Sequence, residues 1–180
     1  IGIPDRSNQT QGAMINLPGR YLSGAMRGRF NTHDGHMYIS GLRGWQTSAV
    51  HDGCSQRLRL VGGPLRLPVD YATAPGQIEI TFDTALNREL AEDPESYSLE
   101  QWNYLWSNQY GSKDWSIRDP KKNGRDTVPV KAAKLKKDNR TVVLAVPGLT
   151  KAMQFELKYD MDDTNGKLVR GSMAGTINKL

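Results

Sequence analysis

Two short clusters hold the residue types best suited to binding a metal. His33-Asp34-Gly35-His36 and His51-Asp52-Gly53-Cys54 combine into H-x2-H-x14-H-x2-C. That is close to the spacing of zinc ribbons, in which two tight turns each present two ligands. Positions i and i+3 face each other across a two-residue turn, so each pair is able to chelate. Plain turn chemistry with solvent-exposed histidines explains the same residues, and no zinc is expected. Asp162-Asp163-Thr164-Asn165-Gly166 opens like a calcium loop but has no terminal Glu at the right distance. It reads better as an Asn-Gly hairpin turn.

Binding residues of a different kind come from an aromatic row and a set of arginines. Trp102, Tyr104 and Trp106 recur at period two, with Tyr110 and Trp115 close behind. On one continuous strand such a row projects from a single face. The first expectation is that it forms the core of a sandwich, because aromatic side chains bury large areas. The alternative is a platform on which pyranose rings stack. Arg27, Arg29, Arg43 and Trp45 complete the candidate ligand-binding set. Arginines hold carboxylates bidentately; the competing reading is cross-strand pairing with acidic neighbours.

No nucleophile elbow, P-loop or dinucleotide fingerprint occurs, and no catalytic residue is expected in this chain. The formal net charge is +5. Between Arg118 and Arg140 nine Lys/Arg face three Asp, a patch suited to phosphates or acidic polysaccharide. No nucleic-acid-binding signature accompanies it, so nucleic acid is not an expected partner. No apolar run approaches the length of a membrane span. The single cysteine, Cys54, allows no internal disulfide. The chain starts at Ile with no signal-peptide pattern ahead of its fold, and reads as a processed or excised piece of something longer.

The elements that must position these residues are strands. Eighteen glycines and nine prolines in 180 residues suit many turns. Residues 1–15 read as a loop or extended arm. Residues 16–62 read as two hairpins, with turns centred on Asp34-Gly35 and Asp52-Gly53. The first is expected to be a type I′ turn with both central residues at positive φ. Gly62-Gly63-Pro64 marks a domain boundary, which divides the chain into 1–62 and 64–180. Beyond it, Ile78, Ile80 and Phe82 alternate on one face. Leu86 to Leu90 suggests one helical turn. Strands are expected over Tyr97–Trp106, Val128–Leu135, Thr141–Val146 and Phe155–Asp160, and after Asn165-Gly166. About seven strands at short intervals predict a β-sandwich.

The hairpin Asp34-Gly35-His36-Met37-Tyr38-Ile39-Ser40-Gly41 resembles the D-G-x-[LM]-Y-[VI]-[ST]-G strand pair of six-bladed sugar-dehydrogenase-like and NHL-like β-propellers. Ser23 to Phe30, Gly41 to Thr47 and Asp52 to Arg57 resemble the last propeller blade of planctomycete and verrucomicrobial membrane-bound dehydrogenase-like, haem-binding-domain-associated proteins. Tyr97-Ser98-Leu99-Glu100-Gln101-Trp102-Asn103-Tyr104 matches the motif of the Ig-like segment that follows the propeller there. Thr176-Ile177-Asn178-Lys179-Leu180 matches that segment's tail, so the resemblance runs from about Asn16 to the end.

The resemblance implies an all-β chain, in which terminal propeller-blade hairpins precede an Ig-like β-sandwich. The chain would be the non-catalytic part of a periplasmic or extracellular propeller protein acting on sugars or alcohols and passing electrons to a c-type cytochrome. It would close the propeller and dock a partner, which is the remainder of the propeller or another chain. Arg27, Arg29 and Trp45 would then line a funnel that holds a carboxylate or a quinone. No C-x-x-C-H is present, so any haem lies elsewhere in the parent. Polysaccharide is the remaining partner class, through the Trp102 row.

Overall fold

The structure, a computed structural model, describes residues 2–3, 11–44 and 48–180. These residues are all-β, in two compact units. One unit contains the segment up to Asn16 together with Pro64–Leu180; the other is Leu17–Gly63. The break falls at Gly62 and Gly63, whose φ values of 93° and 80° lie in the left-handed region that glycine alone takes without strain.

The strands in chain order are β1 (Gly2–Ile3), β2 (Gln11–Ile15), β3 (Gly24–Phe30), β4 (Met37–Leu42), β5 (Gly53–Leu58), β6 (Pro68–Ala74) and β7 (Gln77–Phe82). After them come β8 (Tyr97–Trp102), β9 (Asp126–Val128), β10 (Ala132–Leu135), β11 (Thr141–Ala145), β12 (Ala152–Asp162) and β13 (Leu168–Ile177). The larger unit contains a six-stranded sheet, β1-β2-β13-β12-β8-β9, and a four-stranded sheet, β10-β11-β7-β6. Its ten strands exceed the seven that turn spacing suggests, because several are too short to show a period of their own.

The two sheets pack face to face. Ile78, Ile80 and Phe82 of β7 are buried, as their alternation predicts, with Val142 and Leu144 beside them. The opposing sheet contributes Leu99, Phe155, Leu157, Tyr159, Val169 and Met173. Two ring contacts cross the interface: Phe82 meets Tyr159 edge-on at 5.2 Å, and Tyr71 meets Phe155 at 6.0 Å. Burial pushes the phenols of Tyr71 and Tyr159 up to about 12. The expected helical turn is a four-residue helix, α1 (Arg88–Ala91), which Asn87 caps by accepting the Leu90 N–H at 3.2 Å.

Four sequence expectations need correction. The N-terminal stretch is not simply an arm: β2 pairs with β13 and belongs to the sandwich. The run Val128–Leu135 is two strands in different sheets. Pro129 lacks an N–H for the ladder and stands where the chain crosses over. The run Tyr97–Trp106 ends as a strand at Trp102, the last residue paired with β12. The hairpin turns also differ from a two-residue I′ turn. Asn31 pairs with His36 around the four-residue loop 32–35, in which only Gly35 has positive φ. Gly53 opens β5 instead of centring a turn.

Candidate functional site

The smaller unit is the three-stranded antiparallel sheet β3-β4-β5. Its register decides what each face presents, because directly paired residues share a face. Arg29 pairs with Tyr38 and Tyr38 with Arg57; Arg27 pairs with Ser40 and Ser40 with Ser55. Arg27, Arg29 and Arg57 therefore stand on one face. None of the three forms an ion pair among the described residues, which removes the expected pairing with acidic neighbours. The guanidinium of Arg27 donates to the Met26 carbonyl at 3.1 Å, and that of Arg29 to the Gly28 carbonyl at 2.9 Å. Arg57 was legible in the alternation of Gln56-Arg57-Leu58, once β5 is placed against β4. Arg43 does not join this face. Its N–H donates to the Asp52 carbonyl, continuing the strand alternation that turns it to the other side. Trp45 lies outside the described residues.

The opposite face is apolar at its Phe30 end: Phe30 pairs with Met37 and Met37 with Leu58, with Ile39 beside them, opposite Gln56. Met37 lies across Gly28, where a β-carbon would collide with its terminal methyl. Ile39 is buried, but Phe30 is 73% exposed.

The metal spacing does not close. The His33–His36 turn adjoins the Met37 end of β4, whereas His51 and Cys54 adjoin its Leu42 end, where Leu42 pairs with Gly53. Six residues of strand separate the two ends by about 17 Å, too far for four ligands to share one ion. Asp34 instead accepts the His36 N–H and the Tyr38 hydroxyl, and these bonds hold its carboxyl below the ordinary range. Cys54 Sγ lies 2.8 Å from Ser23 Oγ. The Asp162–Gly166 turn is built by Asp163, which is buried and accepts the Asn165 and Lys167 N–H groups on one oxygen and Arg66 Nε on the other.

The aromatic row is split by the end of β8. Tyr97, Leu99 and Gln101 point into the sandwich; Trp102 points out, away from the core. It is nevertheless only 8% exposed, because the Arg125 guanidinium stacks over its ring at 3.8 Å. Asp114 holds Arg125 at 2.8 Å, with Glu156 at 3.2 Å and Glu100 at 3.6 Å. The Asp114 hydrogen bond, with the three negative charges, raises the already high pKa of Arg125. Trp102 is thus the floor of a polar cap and not part of a row.

Beyond it the chain leaves the sheet as a loop, 103–125, with a stiff base. Asn103 and Trp115 exchange both backbone hydrogen bonds, at 2.8 and 2.9 Å. Asp126 accepts from Ser116 Oγ at 2.7 Å and from the N–H groups of Ile117 at 2.6 Å and Arg118 at 3.1 Å. Burial pushes its carboxyl up, but those donors outweigh the burial and hold it below the usual range. Leu105 N–H donates to Ser112 Oγ at 2.9 Å, which ties the two sides of the tip together. On this tip Tyr104 is 40%, Trp106 95% and Tyr110 97% exposed. An open depression at Tyr110 is lined also by Leu105, Ser107, Gln109, Lys113 and Trp115. The expectation that Trp106 lies in the core is therefore overturned. Among the described residues no three His, Cys, Asp or Glu side chains gather as a metal site would require. Comparison with protein-family models, curated proteins and solved structures gives no match for this chain.

Proposed function

We propose that this chain is a non-catalytic structural and interaction module of a larger extracytoplasmic β-propeller protein, in which residues 17–63 close the propeller and dock a partner. The observation that carries the reading is the incompletely covered apolar face of β3-β4-β5, where Ile39 is buried but Phe30 at the edge is 73% exposed. A propeller blade is a four-stranded antiparallel sheet, and β3-β4-β5 supplies three strands in consecutive order. So small a sheet needs further strands or a covering layer to be stable. Phe30, Met37 and Leu58 offer the surface for it, and a neighbouring blade is the cover that fits. The sandwich is then the Ig-like domain appended to the propeller. By resemblance the parent is a dehydrogenase-like oxidoreductase for sugars or alcohols, working with a c-type cytochrome whose haem lies outside this chain.

A second reading draws on the arginines. Arg27, Arg29 and Arg57 share a face without carboxylate partners among the described residues, which suits a contribution to an oxidoreductase site completed by other parts of the parent. An anionic cofactor or substrate carboxylate would take the fork geometry of these side chains.

Incorporating a photo-crosslinking benzoylphenylalanine at Phe30 in the producing cells separates the readings from a free-standing module. The expected product is a crosslink to a propeller strand. Irradiation that yields only uncrosslinked chain overturns the docking function. The same experiment at Arg29 tests the second reading by whether substrate or cofactor suppresses its crosslink.

A further inference from the structure

The loop 103–125 presents a second surface, on the sandwich unit and independent of the blade-like sheet. Trp106 and Tyr110 are almost wholly in water. Tyr and Trp are enriched at interaction surfaces, where a ring offers apolar faces and a polar handle. Their setting restricts what they meet. The depression beside Tyr110 is lined by hydroxyl, amide and ammonium groups from Ser107, Gln109 and Lys113 as well as by aromatic surface. Flat apolar rings amid hydrogen-bonding side chains suit a ligand that is apolar on its faces and polar at its edges, which describes a pyranose ring.

Charge narrows the ligand further. The anions of the loop are already engaged. Asp114 is bound by Arg125, Asp126 by Ser116 and two backbone N–H groups, and Asp119 accepts the Lys121 N–H. The ammonium groups of Lys113, Lys121 and Lys122 make no ion pair among the described residues. The net charge of the loop is therefore positive, and Lys113 places it beside Tyr110.

The base of the loop also fits recognition. The paired backbone hydrogen bonds between Asn103 and Trp115, the Asp126 clamp and the Arg125–Asp114 pair fix the tip's footing before any ligand arrives. A fixed footing reduces the ordering cost of binding. Trp102, sealed beneath Arg125, supports this base and does not touch the ligand.

We propose that the tip of this loop binds an acidic polysaccharide, with Trp106 and Tyr110 stacking on uronic-acid rings and Lys113 meeting a carboxylate. The test is affinity electrophoresis and titration calorimetry of the full chain against polygalacturonate and alginate. Neutral cellohexaose and phosphatidylglycerol vesicles serve as the competing occupants. Retardation by an acidic polysaccharide is expected, weakening as salt rises. Trp106→Ala should weaken it by about tenfold or more with an unchanged melting temperature, as for an aromatic anchor. Lys113→Gln should weaken it and flatten the salt dependence. No retardation by either acidic polymer overturns the proposal, as does retardation that Trp106→Ala leaves unchanged. Equal binding of cellohexaose overturns the acidic assignment, and binding of vesicles in place of polysaccharide overturns the glycan.

Discussion

Trp102 and Trp106 stand four residues apart and have opposite surroundings. One is sealed between a sheet and the Arg125 guanidinium; the other is open to water on a loop tip. Trp106→Ala is expected to change stability by less than about 0.5 kcal/mol, as for other exposed side chains without structural partners. Trp102→Ala should cost about 3 kcal/mol, the low end for removing a buried aromatic. It also leaves Arg125 with three carboxylates and no ring beneath it. Paired thermal melts of the two variants check this contrast; a sharp loss with Trp106→Ala and none with Trp102→Ala would reverse the assignment. The aromatic residues themselves were legible in the sequence. The end of the strand between them was not, because no glycine or proline follows Trp102 until Gly111. Pairing stops there because Asn103 gives both its backbone bonds to Trp115, and the next β12 residue, Met153, donates its N–H to the Asn103 side chain instead of its backbone.

At the level of elements, strands that bury one face were the readable ones. The alternation in Gln77–Phe82 and the apolar run at Thr141–Ala145 became central strands of the four-stranded sheet, with Ile80 opposite Val142 and Ile78 opposite Leu144. β2 was unreadable because its polar neighbours hide a five-residue strand whose place is set by the distant β13. Gln11 strengthens that place, since its side chain accepts the Asn178 and Lys179 N–H groups and donates to Thr73. Removing residues 1–16 should therefore lower the melting temperature of the sandwich, with a loss of protection along β13. A fragment of 64–180 that melts like the full chain would show that β2 is dispensable. The β10–β11 turn has a pH signature. Asp138 accepts the Thr141 hydroxyl and the Arg140 and Thr141 N–H groups, led by the hydroxyl, and these hold its pKa at about 2. A carboxyl held below its unfolded value of 3.8 stabilises the fold above that pH. The contribution fades as pH falls from about 4 to about 2. Asp138→Asn should lower stability at neutral pH and shrink the gap to the parent across that acid window. Parallel acid titrations of the two proteins would contradict this role.

Across the whole molecule, the two units differ in what holds them together. The sandwich buries two facing sheets around aromatic and aliphatic side chains, and among the described residues its core includes every buried large apolar residue except Ile39 and Trp102. The unit from Leu17 to Gly63 has six arginines, two aspartates and, among the described residues, a single buried apolar strand residue, Ile39. The division at Gly62-Gly63-Pro64 was legible because two glycines and a proline interrupt any continuing strand. The incompletely covered face of β3-β4-β5 was legible only in part. Phe30, Met37, Ile39 and Leu58 announce an apolar face, but nothing local in the sequence says whether another part of the chain covers it. The central claim is that this sheet depends on a cover supplied from elsewhere, and residue-resolved amide hydrogen exchange on the isolated chain tests it most directly. Amides of β7, β11, β12 and β13 should exchange only through global unfolding of the sandwich. Those of β3, β4 and β5 should exchange at least about a hundredfold faster, through opening of their own unit. Equal protection in the two units would contradict the claim, because the three-stranded sheet would then be stable without any partner.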